Sequence, residues 1–85
     1  MILRITNFNL AGTYLLKVAF NDGTCKTVDL FPLLHGPVFE PLKDPGYFAQ
    51  VALDPVSGTV VWPNDADFAP EALHELVAAE EMTGV

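Results

Sequence analysis

Phe48-Ala49-Gln50-Val51-Ala52-Leu53-Asp54, then Pro55-Val56-Ser57-Gly58, then Thr59-Val60-Val61-Trp62-Pro63, is the stretch whose reading decides the fold. It reads as strand, turn, strand. Val51 and Leu53 point to one side of the first strand, a proline- and glycine-bearing turn follows, and β-branched residues lead up to the only tryptophan. A few residues on, Phe68-Ala69-Pro70-Glu71-Ala72-Leu73 opens a helix. With Ala69 as the cap, Pro70 takes the first helical position, where its missing N–H costs nothing. Glu71 then faces the positive end of the helix. Phe68 and Leu73 have the spacing of a hydrophobic staple. Leu73, Leu76 and Val77 form one apolar stripe, and fraying is expected from about residue 80, where Glu80 and Glu81 meet the negative helix end.

Upstream, the chain reads as a meander that covers this unit. Residues 2–8 are apolar and β-branched enough for a first strand. Tyr14 to Phe20 alternates, with Leu16, Val18 and Phe20 on one face. Asn21-Asp22-Gly23 signals a hairpin. A three-residue loop with Gly23 left-handed sets Phe20 opposite Thr24 and Leu16 opposite Val28. A two-residue loop would set Leu16 opposite Asp29. The first keeps the core face apolar except for Lys26, whose stem can snorkel, and is preferred. The third strand runs from Thr24 to Leu30. Phe31 to Gly36 holds at most one helical turn before Gly36-Pro37. Residues 37–47, with three prolines, form an irregular crossover in which Asp44 can cap a short turn begun by Pro45. The expected fold is α+β: a single domain over residues 1–85, about five strands in one small meandering antiparallel sheet, and one long C-terminal helix packed on it. Leu16, Val18, Phe20, Val28, Val51, Leu53, Trp62, Phe68, Leu73 and Leu76 are the expected core.

Eighty-five residues, 51% of them hydrophobic and 18% charged, make one thin-cored globular domain. One cysteine leaves no internal disulfide to form, which fits a reducing compartment. The N-terminus has no signal-peptide pattern, and no apolar run is long enough for a bilayer. A cytoplasmic location is expected. Charge is unevenly placed. All four basic residues (Arg4, Lys17, Lys26, Lys43) lie in residues 1–43, which carry a net +1, while residues 44–85 carry −8. Such a surface repels phosphate backbones and anionic lipid and attracts basic protein surfaces.

No motif for catalysis, metal or cofactor stands out. His35 and His74 are far apart, His74-Glu75 has no second histidine four residues on, and there is no C-x-x-C pair. Asp65 and Asp67 flank Ala66 without the further ligands of a calcium loop. Cys25 has no local base to activate it. The six glycines are scattered and make no phosphate-binding loop. Trp62 could stack on a ligand, but its place at the end of an apolar strand suits the core better.

The ordered set Phe20-Asn21-Asp22-Gly23, Val28-Asp29-Leu30, Leu33-Leu34, Leu42-Lys43-Asp44, Phe48, Val51, Gly58 to Pro63, Asp67-Phe68 and Pro70 to Leu73 resembles the bacterial DUF2442 family, a domain of unknown function. The resemblance covers roughly residues 3 to 77. It implies a small α+β domain with a meandering sheet and one packed helix, and it brings no catalytic residue. It gives Phe20, Gly23, Trp62, Pro63 and Leu73 scaffold roles. Some members of that family are fused to a C-terminal helix-turn-helix domain, which this chain, ending at Val85, is expected to lack. Others are encoded beside a second small protein in a layout resembling toxin–antitoxin pairs.

The expected function is therefore a non-enzymatic protein-interaction module, a partner of a basic small protein, with Asp65, Asp67, Glu71 and Glu75 as the interaction surface. No catalytic, cofactor or metal residue is assigned, and neither nucleic acid nor membrane is expected as a partner. Open sheet edges also suggest a homodimer. A small-ligand site or enzyme built on Asp65, Asp67 and Trp62 is the alternative. An accessory part of a nucleic-acid-binding regulator is the second alternative.

Overall fold

The computed structural model describes residues 2–79. Three strands, β1 (Ile5–Leu10), β2 (Leu15–Phe20) and β3 (Cys25–Asp29), form an antiparallel sheet in the order β1-β2-β3. The β2–β3 register is the three-residue-loop one: Leu16 pairs with Val28, and the Phe20 N–H donates to the Thr24 carbonyl at 2.8 Å. Gly23 takes φ +91°, a conformation L side chains rarely adopt, and this makes the loop close at that length. The alternating face predicted for β2 holds throughout: Leu16, Val18 and Phe20 are buried.

The second hairpin does not join this sheet. β4 (Ala52–Asp54) and β5 (Thr59–Val61) pair only with each other, so the five strands form two small antiparallel sheets, not the single sheet expected. Asp44 explains why β4 is short. Its carboxylate accepts the Tyr47 N–H at 3.1 Å and caps a helical turn, α1 (Pro45–Phe48), so Phe48 is helical where a strand was expected to begin. The two sheets meet at one backbone bond, Ile5 N–H to the Gly58 carbonyl at 2.8 Å. Beyond Ile5 an extra residue in β1, at Thr6, breaks the register with β2 and bends the strand. Gly58 is at φ +70°, and a Cβ there would lie 2.9 Å from the guanidinium carbon of Arg4, whose side chain crosses the turn so that its Nη2 donates to the Pro55 carbonyl.

The C-terminal helix starts where predicted, with Ala69 extended as cap and Pro70 first, but α2 spans only Pro70–His74. Its partner at the far end is Lys26, whose ammonium donates to the His74 and Leu76 carbonyls. A cation at the negative end satisfies carbonyls that continued helix would otherwise bond. The Leu76 N–H meanwhile reaches Leu73 in a tightened last turn. The expected fraying at Glu80 and Glu81 lies outside the described residues. With α1 there are two helices among the described residues, not one, and two 3-10 turns (Phe31–Leu33 and Glu40–Lys43) shape the path from β3 to α1.

One aromatic chain joins these pieces. Tyr14 meets Phe48 edge-on at 5.6 Å, Phe48 meets Trp62 at 5.4 Å, Trp62 meets Phe68 edge-on at 5.8 Å, and Phe68 stacks on Phe39 at 4.9 Å. Around it Ile5, Leu30, Leu34, Leu42 and Val60 are buried, none of them in the expected core. Leu42 belongs to the crossover and Leu34 to the turn that precedes it, so both segments help to seal the core. Leu53 and Leu76, expected inside, are half-buried at its margin, Leu53 on β4 and Leu76 beyond the helix end.

Candidate functional site

The acidic segment leaves β5 through a tight turn. The Trp62 carbonyl accepts the Asp65 N–H at 2.9 Å, and the Trp62 N–H donates to the Ala66 carbonyl at 3.0 Å. Asn64 braces the turn, accepting from the Ala66 N–H at 3.1 Å and donating to the Val38 carbonyl at 2.9 Å. Asp65 sits at φ 68°, left-handed, which an aspartate tolerates better than most residues. Ala66 is thereby turned inward and buried, while Asp65 and Asp67 on either side are exposed. Asp67 makes an isolated antiparallel bridge with Val61 that leads the chain into α2. Glu71 in its first turn and Glu75 at its end are also exposed.

All four predicted interaction residues thus lie on the surface of one short continuous segment. Among the described residues the ion pairs are Lys43–Glu40 at 3.0 Å and His74–Asp22 at 2.9 Å, and neither includes any of the four. Trp62 does not belong with them. It is 2% exposed, and its indole N–H donates to the Phe48 carbonyl at 2.9 Å. The Asp65–Asp67 turn therefore presents no tryptophan face to a ligand.

A family model described as protein of unknown function (DUF2442) matches residues 5–78. The chain belongs to that family. The match runs from the first residue of β1 to just beyond α2, so the four carboxylates of this DUF2442 domain lie within it. No curated protein matches the chain, and no solved structure does.

Among the described residues the histidines and the cysteine of the DUF2442 domain make no hydrogen bond or ion pair with one another. His35 and Cys25 are exposed. The His74 ring stands edge-on to Phe20 at 4.8 Å and bonds Asp22 across the hairpin turn. Among the described residues no three His, Cys, Asp or Glu side chains gather as a metal-holding group, and no helix is long and apolar enough to cross a membrane.

Two turn carboxylates are held below the ordinary carboxylate range. For Asp22 the chief cause is the Thr24 backbone N–H, which donates at 2.9 Å, followed by the Thr24 side chain, with a smaller part from His74. For Asp54 it is the Val56 N–H at 2.9 Å, then the Ser57 hydroxyl at 3.1 Å, with Arg4 contributing less. Each carboxyl titrates lower folded than unfolded. The stability each contributes is therefore present above the ordinary value of about 4 and is lost as pH falls through the folded value. Both are turn-forming groups.

Sequence reasoning assigned no role to Asp29 or Phe31. The available signal was a carboxylate followed within two residues by a Phe-Pro pair at the end of a strand, where the chain must leave the sheet and expose an aromatic.

Proposed function

We propose that this domain is a non-enzymatic interaction module that recognises a basic surface on a protein partner through Asp65, Asp67, Glu71 and Glu75. The observation that carries the proposal is the exposure of all four on one segment, within a half of the chain that has no Lys or Arg after Lys43. Among the described residues no ion pair includes any of the four. The Lys26 ammonium is engaged by the His74 and Leu76 carbonyls, and Lys43 is paired with Glu40. The turn bonds around Trp62 and Asn64 hold Asp65 and Asp67 in place before a partner arrives, which lowers the ordering cost of binding.

Charge placed this way acts mainly on encounter rate and partner sign. The test is capture from a native lysate with the wild-type domain as bait, followed by cross-linking and mass spectrometry. A parallel bait carries Asp65→Asn, Asp67→Asn, Glu71→Gln and Glu75→Gln. The wild type is expected to retain a protein whose cross-linked face is rich in Lys and Arg. The association rate should fall as salt rises, and the neutralised bait should lose most of the capture. A partner retained equally by both baits, or one with an acidic contact face, contradicts the proposal.

A further inference from the structure

Where β3 ends, Asp29 stands between two open grooves. The first, of about 400 Å³, is walled by Tyr14, Leu15 and Phe31; the second, of about 230 Å³, by Leu33, Leu76 and Val77. Asp29 lines both, and among the described residues it is the one charged group that lines either. One of its carboxylate oxygens accepts the Phe31 N–H at 3.0 Å. Among the described residues no cation lies within ion-pair distance of it. Lys17, two residues from its cross-strand neighbour Leu15 on the same sheet face, makes no such contact. The apolar walls are open to solvent: Phe31 is 49% and Val77 61% exposed. A half-buried carboxylate with apolar surroundings on both sides gains by meeting a cation that brings apolar groups with it.

We propose that this double groove docks an extended segment of a protein partner that carries an Arg or Lys between apolar side chains, with the cation on Asp29 and one apolar group in each groove. The proposal rests on the reading of the domain as a receptor for basic proteins, and it names a second contact and the chemistry of the segment that fills it. Charge selects this occupant over the others. A second copy docked symmetrically would bring Asp29 toward its own counterpart, between two chains of net charge −7. The chain's own last residues include Glu80 and Glu81, of the same sign as Asp29.

The test uses the full chain, labelled with ¹⁵N, and two blocked peptides, Gly-Val-Leu-Arg-Leu-Val-Gly and the same peptide with Glu in place of Arg. The Arg peptide is expected to give saturable amide shifts at Tyr14, Leu15, residues 29–33, Leu76 and Val77, and the Glu peptide none. Asp29→Asn, which keeps an oxygen for the Phe31 N–H, should weaken binding roughly tenfold, the loss typical of one charge-assisted bond. Phe31→Ala should weaken it without altering the spectrum elsewhere. Equal binding of both peptides, no binding, or an unchanged affinity in Asp29→Asn overturns the proposal. So do shifts that appear with protein concentration alone, which would mark a second copy as the occupant. Shifts confined to residues 65–75 also overturn it while leaving the acidic-segment function standing. Loss of lysate capture by the four-site neutralised bait, with the Asp29 variant unaffected, separates the two in the same direction.

Discussion

Trp62→Ala is expected to remove about 3–5 kcal/mol of folding stability, the range for deleting a large buried aromatic. The ring is 2% exposed and touches both Phe48 and Phe68, and its N–H is bonded to the Phe48 carbonyl. Truncation leaves a cavity where the two sheets share their core and leaves the Phe48 carbonyl with only the Val51 N–H, at 3.3 Å. A domain of 85 residues has roughly 4–13 kcal/mol in total, so this one change takes a large part of it. Urea unfolding followed by far-UV circular dichroism measures the loss, since the variant has no tryptophan to report by fluorescence. Trp62→Phe, which keeps the apolar volume in part and removes the N–H, should fall between the two. A Trp62→Ala midpoint close to wild type would mean that the aromatic chain is not what joins the sheets.

Leu73→Ala and Phe68→Ala test how a helix of five residues stays attached. Helix propensity cannot hold so short a segment, so its anchors must. Leu73 is fully buried, and Phe68 stacks on Phe39 while its carbonyl accepts the buried Thr59 hydroxyl. Each truncation should cost about 2–5 kcal/mol, which in a domain this size lowers the melting temperature by at least about 8 °C. Scanning calorimetry on the two variants checks it. Near-unchanged melting in both would show that α2 is held by Lys26 and His74 instead of by its apolar face.

Local chemistry was legible in the sequence wherever it was decided locally. The Gly23 turn set the β2–β3 register, Asp44-Pro45 and Ala69-Pro70 set two helix starts, and the alternation through Leu16, Val18 and Phe20 set the core face. What the sequence did not show depends on distant partners. The end of α2 is met by Lys26, 48 residues away from His74, and no periodicity within the helix reports that bond. Phe48 satisfied both a strand pattern and a capped turn, and Asp44 decided in favour of the turn. Leu34 and Leu42 stand in proline-bearing segments with no strand or helix period to mark an inward face, yet both are buried in the core that holds the aromatic chain. The candidate surface was readable as charge, since Asp65, Asp67, Glu71 and Glu75 need only be exposed to act. Asp29 was not, because its neighbours Leu76 and Val77 come from the other end of the chain.

The sign of the surface field is the claim on which the functional account depends, and it can be measured before any partner is known. Labelled duplex and single-stranded nucleic acid should be titrated with the full chain at low salt, where the Debye length is about 30 Å at 0.01 M and attraction is easiest to detect. With eight carboxylates and no Lys or Arg in residues 44–85, no binding is expected at any accessible concentration. Salt-sensitive binding tighter than about 10 µM would contradict the account, because affinity of that kind requires phosphates to be neutralised by a basic face.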